Sequence, residues 1–193
     1  MGWNPPGEAM TVIITGSPAG GTTCVSRVVD ALGVTIKYSQ DRPDRTHEDF
    51  LLGLNITQGQ PIIDTVEEYN KKHPRWGFKF PGIFGHLGEY IDQFRDPVII
   101  YVLRDPLAVY QSLQRHAKCK IDSNSLKLIA EELQRVIHLL PEMNIPYLFV
   151  SYEKMMTRTR LTIEEIAEFL EVPFKEEALN EVILADPRYL KRT

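Results

Sequence analysis

The stretch Thr11-Val-Ile-Ile-Thr15-Gly16-Ser17-Pro18-Ala19-Gly20-Gly21-Thr22-Thr23-Cys24-Val25 decides the fold. Thr11 to Thr15 is a short, β-branched, apolar run that stops at Gly16, the pattern of a strand buried on both faces of a parallel sheet. From Thr22 onward, Val25, Val28, Val29 and Leu32 recur at helical spacing up to Gly33, a natural terminator. The order is therefore strand, glycine-rich loop, helix. Glycines let the backbone approach an anion closely, successive amides form a nest, and the helix N-terminus adds about half a positive charge. Phosphate binding is the physical consequence, and a tight strand-to-helix turn without a ligand is the plainer alternative. The loop lacks the Gly-Lys-Ser/Thr ending that supplies a lysine and a magnesium-coordinating hydroxyl, which argues against routine ATP or GTP hydrolysis.

Outward from this stretch, strands and helices alternate. Between Tyr38 and Gln60 the chain turns polar and then apolar at Phe50 to Leu54, which predicts an exposed excursion, a lid or acceptor-binding segment. A helix is expected over Ile62 to Lys72, a short strand over Trp76 to Pro81, and another helix over Phe84 to Phe94. Pro97 to Leu103 is a continuous apolar run that fits a strand buried on both faces. Pro106 suits the first position of a helix reaching about His116. A long helix from about Ser125 to Leu140 leads into a strand over Pro146 to Ser151. Thr162-Ile-Glu-Glu165 has the form of a capping box at the start of a further helix. This alternation predicts an α/β, three-layer domain with a mostly parallel central sheet flanked by helices and ligand loops at the carboxyl ends of its strands.

The 193 residues suffice for one domain with a full core, and the whole chain is read as one, with residues 1–9 a flexible lead. Charged residues make up 25% and the net charge is -4, so the basic stripe of a nucleic-acid binder is missing. Nucleic acid is not the expected partner. Cys24 and Cys119 have no metal-ligand spacing and form no disulfide framework; both read as reduced and structural. No metal is implied. The first ten residues have no signal-peptide pattern, and no run approaches the roughly 20 apolar residues of a membrane span. A cytoplasmic location is the resulting expectation.

A second constellation is Arg104-Asp105-Pro106-Leu107-Ala108-Val109-Tyr110-Gln111-Ser112. Arg104 leaves the end of a buried strand and Ser112 lies about two turns along the next helix. A guanidinium fork and a hydroxyl are good phosphate donors, though Arg-Asp at a strand end is also a common structural pair.

Together these segments resemble the sulfotransferases that use 3′-phosphoadenosine 5′-phosphosulfate (PAPS), a branch of the P-loop fold. Gly21-Thr22-Thr23 is similar to the end of that family's 5′-phosphosulfate loop. The strand Ile99 to Leu103 with Arg104-Asp-Pro and Ser112 resembles its 3′-phosphate motif. Phe149-Val-Ser-Tyr152-Glu153-Lys-Met and Ile166-Ala-Glu-Phe169-Leu170-Glu-Val-Pro173 look like its late strand, Tyr-Glu turn and Phe-Leu helix. The resemblance implies that Gly20, Gly21, Thr22 and Thr23 hold the 5′-phosphate, that Arg104 and Ser112 hold the 3′-phosphate, and that Tyr152 lies near the adenine. Trp76-Gly-Phe-Lys79-Phe-Pro81 resembles the strand bearing the family's catalytic-region lysine. Lys79 would then neutralise the bridging oxygen as the sulfuryl group leaves, although a solubilising surface lysine has the same sequence signal.

Two departures stand out. Ala19 occupies the loop position of a lysine or arginine, with Gly20 at the usual serine, and Pro81 stands where many members carry a histidine base. His86, His47, Glu48 and Asp49 are the remaining candidates for a base. The implied activity is sulfuryl transfer from PAPS to a hydroxyl or amine of a small-molecule or glycan acceptor, with adenosine 3′,5′-bisphosphate (PAP) as product. A nucleotide-binding member without catalysis and a nucleotide kinase-like phosphotransferase are the alternatives.

Overall fold

The computed structural model describes residues 8–38, 50–116 and 123–185. Five parallel strands form its sheet: β1 Met10–Gly16, β2 Thr35–Lys37, β3 Arg75–Lys79, β4 Pro97–Leu103 and β5 Tyr147–Ser151, in the order β2-β3-β1-β4-β5. All of β1 is buried, with Ile13 aligned to Phe78 on one side and Ile99 on the other. Parallel neighbours need crossovers, and helices supply them. These are α1 Thr22–Ala31, α2 Phe50–Thr57, α3 Ile63–Lys72, α4 Phe84–Leu87, α5 Pro106–His116 and α6 Ser123–Leu139. After β5 come α7 Tyr152–Thr157, α8 Thr159–Phe169 and α9 Glu177–Ala185.

The period-2 alternation of the strands builds two cores. Val12, Ile14, Val98 and Ile100 pack with Val25, Val28 and Val29 of α1, Ile163 and Ile166 of α8, and Ala178 and Val182 of α9. On the opposite face Ile13, Ile99, Trp76 and Phe78 meet Leu52 and Ile56 of α2, Val66 of α3 and Val136 of α6. Aromatic rings dominate this second core, with Phe78 stacked on Phe94 at 5.5 Å and Trp76 tilted against Tyr69 at 5.0 Å. Three layers result, as the sequence predicts.

Four local expectations change. The segment expected to be an exposed excursion ends in α2, whose Leu52 and Ile56 are buried; its apolar residues form a core-facing helix instead of a surface patch. Residues 39–49 of that segment, like Met1 to Gly7, lie outside the described residues. The helix expected over Phe84 to Phe94 breaks into α4 and a 3-10 turn at Ile91–Gln93, where Gly85 and Gly88 weaken helix continuation. Thr162 is no N-cap: α8 begins at Thr159, and the Thr162 Oγ1 donates back to Arg158 O at 3.0–3.1 Å alongside its own amide. α9, which has no counterpart in the sequence reading, docks on α1 through Ala178 and Val182 and an Arg27–Glu181 ion pair at 3.1 Å.

Strand order reverses at β1, because the chain moves outward to β2 and β3 on one side and later places β4 and β5 on the other. The crevice beyond the carboxyl ends at such a switch point is where open α/β sheets take ligands. Ser17, Phe80, Arg104 and Tyr152 each follow one of the strand ends along this edge.

Candidate functional site

The loop between β1 and α1 is shaped by close approaches. Gly20 N–H donates to Ser17 O at 2.8 Å, closing a turn that leaves Ala19 at φ 60° and Gly21 at φ 96°. A Cβ on Gly21 would fall 2.2 Å from Tyr152 Cδ2, and one on Gly20 would fall 2.6 Å from Ser17 O. Only glycine fits either place. α1 then starts at Thr22 with no side chain capping it, so its first-turn amides remain available to an anion.

Lys79 reaches this loop from the end of β3. Its side chain is fully buried, and Nζ donates to Thr23 Oγ1 at 3.0 Å. The surface reading of Lys79 is thereby excluded. The exit of β3 is pinned to the loop's root: Thr15 Oγ1 donates to Phe80 O at 3.0 Å, and Gly82 N–H to Gly16 O at 2.9 Å. Phe80 in turn presses on α2, where a Cβ at Gly53 would lie within 1.8 Å of its ring.

Arg104 crosses from β4 to the same loop, with Nη1 donating to Ala19 O at 2.7 Å and the guanidinium 4.6 Å from the centre of the Tyr152 ring. Tyr152, 8% exposed, is thus enclosed between Gly21 and Arg104. The alternative of an Arg104–Asp105 pair does not hold. Asp105 instead caps α5, its Oδ1 accepting from Ala108 N–H at 2.8 Å, and its own N–H donates to Glu153 Oε1 at 3.0 Å. Glu153 therefore ties the Arg104 turn to the Tyr152 turn, a link the sequence did not expose because it joins residues 48 positions apart. Ser112 is buried on α5 and makes no hydrogen bond to Arg104. Of the base candidates, His86 is exposed on α4, while His47, Glu48 and Asp49 lie outside the described residues.

The donor set suits a nucleotide carrying more than one anionic group. Arg104 Nε is buried without a partner, the loop glycines sit where any side chain would collide with Tyr152 or Ser17, and Lys79 and Arg104 bring two cations to the loop. No group of His, Cys, Asp or Glu suited to a metal ion occurs among the described residues.

Fold and site together define a P-loop-type, nucleotide-binding transferase domain whose phosphate loop draws its cations from neighbouring strands. The chain belongs to the sulfotransferase domain family, whose model matches residues 10–185, and is accordingly a sulfotransferase. Mouse sulfotransferase SULT7A1, solved in complex with PAP, is similar in fold at a TM-score of 0.61 and 14% identity, covering 98% of this chain and 68% of its own. The sulfotransferase domain from the curacin biosynthetic pathway is similar at a TM-score of 0.61 and 17% identity, covering 97% and 86%. A sugar kinase from Janibacter sp. HTCC2649 is similar in fold at a TM-score of 0.51 and 10% identity, covering 85% of this chain and 95% of its own. A search of the curated proteins gives no match.

Proposed function

We propose that the chain transfers a sulfuryl group from PAPS to a hydroxyl or amine of a small-molecule or glycan acceptor, releasing PAP. The observation that carries this reading is the buried Lys79 ammonium bonded to Thr23 at the uncapped start of α1. Burial of an ammonium is costly unless polar or anionic groups offset it, so this lysine is suited to a phosphosulfate anion. Gly20, Gly21, Thr22 and Thr23 hold the 5′-phosphate through amides and hydroxyls. Arg104 and Ser112 hold the 3′-phosphate. Tyr152, expected beside the adenine, is assigned chiefly to orienting Arg104, since its ring is enclosed beneath the guanidinium.

Bound PAPS supplies an activated sulfuryl group and a phosphate leaving group. Lys79 neutralises the negative charge that develops on the bridging oxygen, and the loop amides hold the phosphate still, so catalysis is positioning plus electrostatic stabilisation. Ala19 removes the loop's own cation. Lys79 at Thr23 and Arg104 at Ala19 offset that loss from outside the loop. The acceptor enters on the α2 side, where Phe80 packs against Gly53.

Among the described residues no helix is long and apolar enough to cross a membrane. A cytoplasmic setting belongs to the same proposal, supported by the buried Cys24, which takes part in no disulfide.

Turnover of sulfur-labelled PAPS over a panel of phenols, alcohols, amines and sugars tests this function. Lys79→Met keeps the buried volume and removes the charge; its turnover is expected to fall by roughly 10²–10³-fold, the effect of deleting one transition-state donor. Equal turnover with and without the lysine charge would remove Lys79 from the chemistry.

A further inference from the structure

Arg104 leaves β4 at its carboxyl end, and the peptide that follows it sets the direction of its side chain. The N–H of Asp105 belongs to the same planar unit as the Arg104 carbonyl, so a group that holds this N–H also fixes how Arg104 leaves the strand. Glu153 is that group: Asp105 N–H donates to Glu153 Oε1 at 3.0 Å. The other carboxylate oxygen, Oε2, accepts from the Ser151 hydroxyl at 3.2 Å, and Ser151 Oγ accepts in turn from Lys154 N–H at 3.2 Å. Pairing of β4 with β5 ends where Leu103 is aligned with Ser151, so the Glu153 bond continues the link between the two strands beyond the last pair of the sheet. Asp105 also caps α5, with Ala108 N–H donating to its Oδ1 at 2.8 Å and Val109 N–H to its carbonyl at 3.0 Å. One carboxylate thereby fixes the frame shared by Arg104 and the first turn of α5, the helix that carries Ser112. Glu153 is itself exposed, and its negative charge opposes an anionic ligand. What it supplies is a strong acceptor in a fixed place.

We propose that Glu153 is a positioning residue that gives the site its preference for a 3′-phosphorylated nucleotide, by holding the Arg104–Asp105 peptide so that the guanidinium meets the 3′-phosphate. The inference rests on the assignment of Arg104 to that phosphate in the proposed function. The guanidinium has two further supports, the Ala19 carbonyl 2.7 Å from Nη1 and the Tyr152 ring 4.6 Å away. Both act on the head of the side chain, whereas Glu153 acts on the backbone from which it springs. Tyr152 and Glu153 are adjacent at the start of α7, so the ring that faces the guanidinium and the carboxylate that holds its peptide are carried by one turn. The loop assigned to the 5′-phosphate is built from other bonds, Gly20 N–H to Ser17 O and Lys79 Nζ to Thr23 Oγ1. Loss of the Glu153 acceptor therefore weakens recognition of the 3′-phosphate and spares the 5′ end. A neutral amide oxygen at the same place accepts the same N–H, so the acceptor and not the charge is what the site requires.

The test compares the wild-type chain with Glu153→Ala and Glu153→Gln in two measurements: calorimetric binding of PAP, and displacement of PAP by AMP, which lacks the 3′-phosphate. In Glu153→Ala, PAP affinity is expected to fall about 3- to 10-fold, the scale of one hydrogen bond, while AMP affinity stays within about twofold. Glu153→Gln, which keeps an acceptor oxygen, is expected to bring PAP affinity back to within about twofold of wild type. Unchanged PAP affinity in Glu153→Ala would overturn the proposal while leaving the nucleotide site intact. So would a parallel fall for PAP and AMP, the mark of a general loosening of the sheet edge, or a Glu153→Gln variant as weak as Glu153→Ala, which would make the charge decisive. Failure of the wild type itself to bind PAP would bring down the donor reading along with this one.

Discussion

Gly21 shows how a single residue joins fold and site. At φ 96° it occupies backbone space unfavourable to L side chains, and the Tyr152 ring fills the volume its Cβ would need. The Arg104 guanidinium lies 4.6 Å from the centre of the same ring, so a displacement at Gly21 reaches Arg104. Gly21→Ala is therefore expected to cost about 1–3 kcal/mol from overpacking. In a chain of this size that lowers the thermal midpoint by about 2–4 °C per kcal/mol, and calorimetric scanning reads it directly. A midpoint equal to wild type would mean that the ring yields freely. Ala19, by contrast, adopts φ 60° without being glycine, and the Arg104 bond to its carbonyl helps hold it there.

At the level of elements, the turns after β1, β3, β4 and β5 carry the site, and a cap holds the last of them in place. Ser151 ends β5 and caps α7, its Oγ accepting from Lys154 N–H at 3.2 Å, so Tyr152 leaves the strand in a fixed direction. Removing the cap with Ser151→Ala is expected to cost about 1 kcal/mol and to loosen the Tyr152–Arg104 stack, which a urea titration and PAP affinity measure together. Unchanged affinity would show that the stack does not depend on this cap. These elements also explain what the sequence made legible. β1, α1, β4 and α5 were readable because burial on both faces, helical spacing and a leading proline are local signals. α9 was not, because what fixes it is docking on α1, where Ala178 and Val182 are buried and Glu181 meets Arg27. Thr162 misled for the converse reason: its Thr-x-x-Glu pattern is local, but the tight join between α7 and α8 starts the helix one turn earlier. The same division runs through the site. Gly20, Gly21, Thr22, Thr23 and Arg104 announced themselves by motif, whereas the burial of Lys79 and the enclosure of Tyr152 depend on neighbours distant in sequence.

For the molecule as a whole, the sheet sets the division of labour. One face packs against α1, α8 and α9; the other packs against α2, α3 and α6, the side to which the proposed function assigns the acceptor. The loop lacks its own cation, and the strand order β3-β1-β4 brings Lys79 and Arg104 to it from either side. A sheet of the same kind also serves the sugar kinase that shares this fold, so the choice of nucleotide lies with these side chains and not with the architecture. The central claim is that this arrangement selects a 3′-phosphorylated adenine nucleotide. Calorimetric titration with PAP, beside magnesium-ATP and with Arg104→Ala as control, tests it most directly. Selective binding of PAP, weakened by about 1.5–3 kcal/mol when the charged hydrogen bonds of Arg104 are removed, is the predicted result. Preference for magnesium-ATP, or PAP binding indifferent to Arg104, would contradict it.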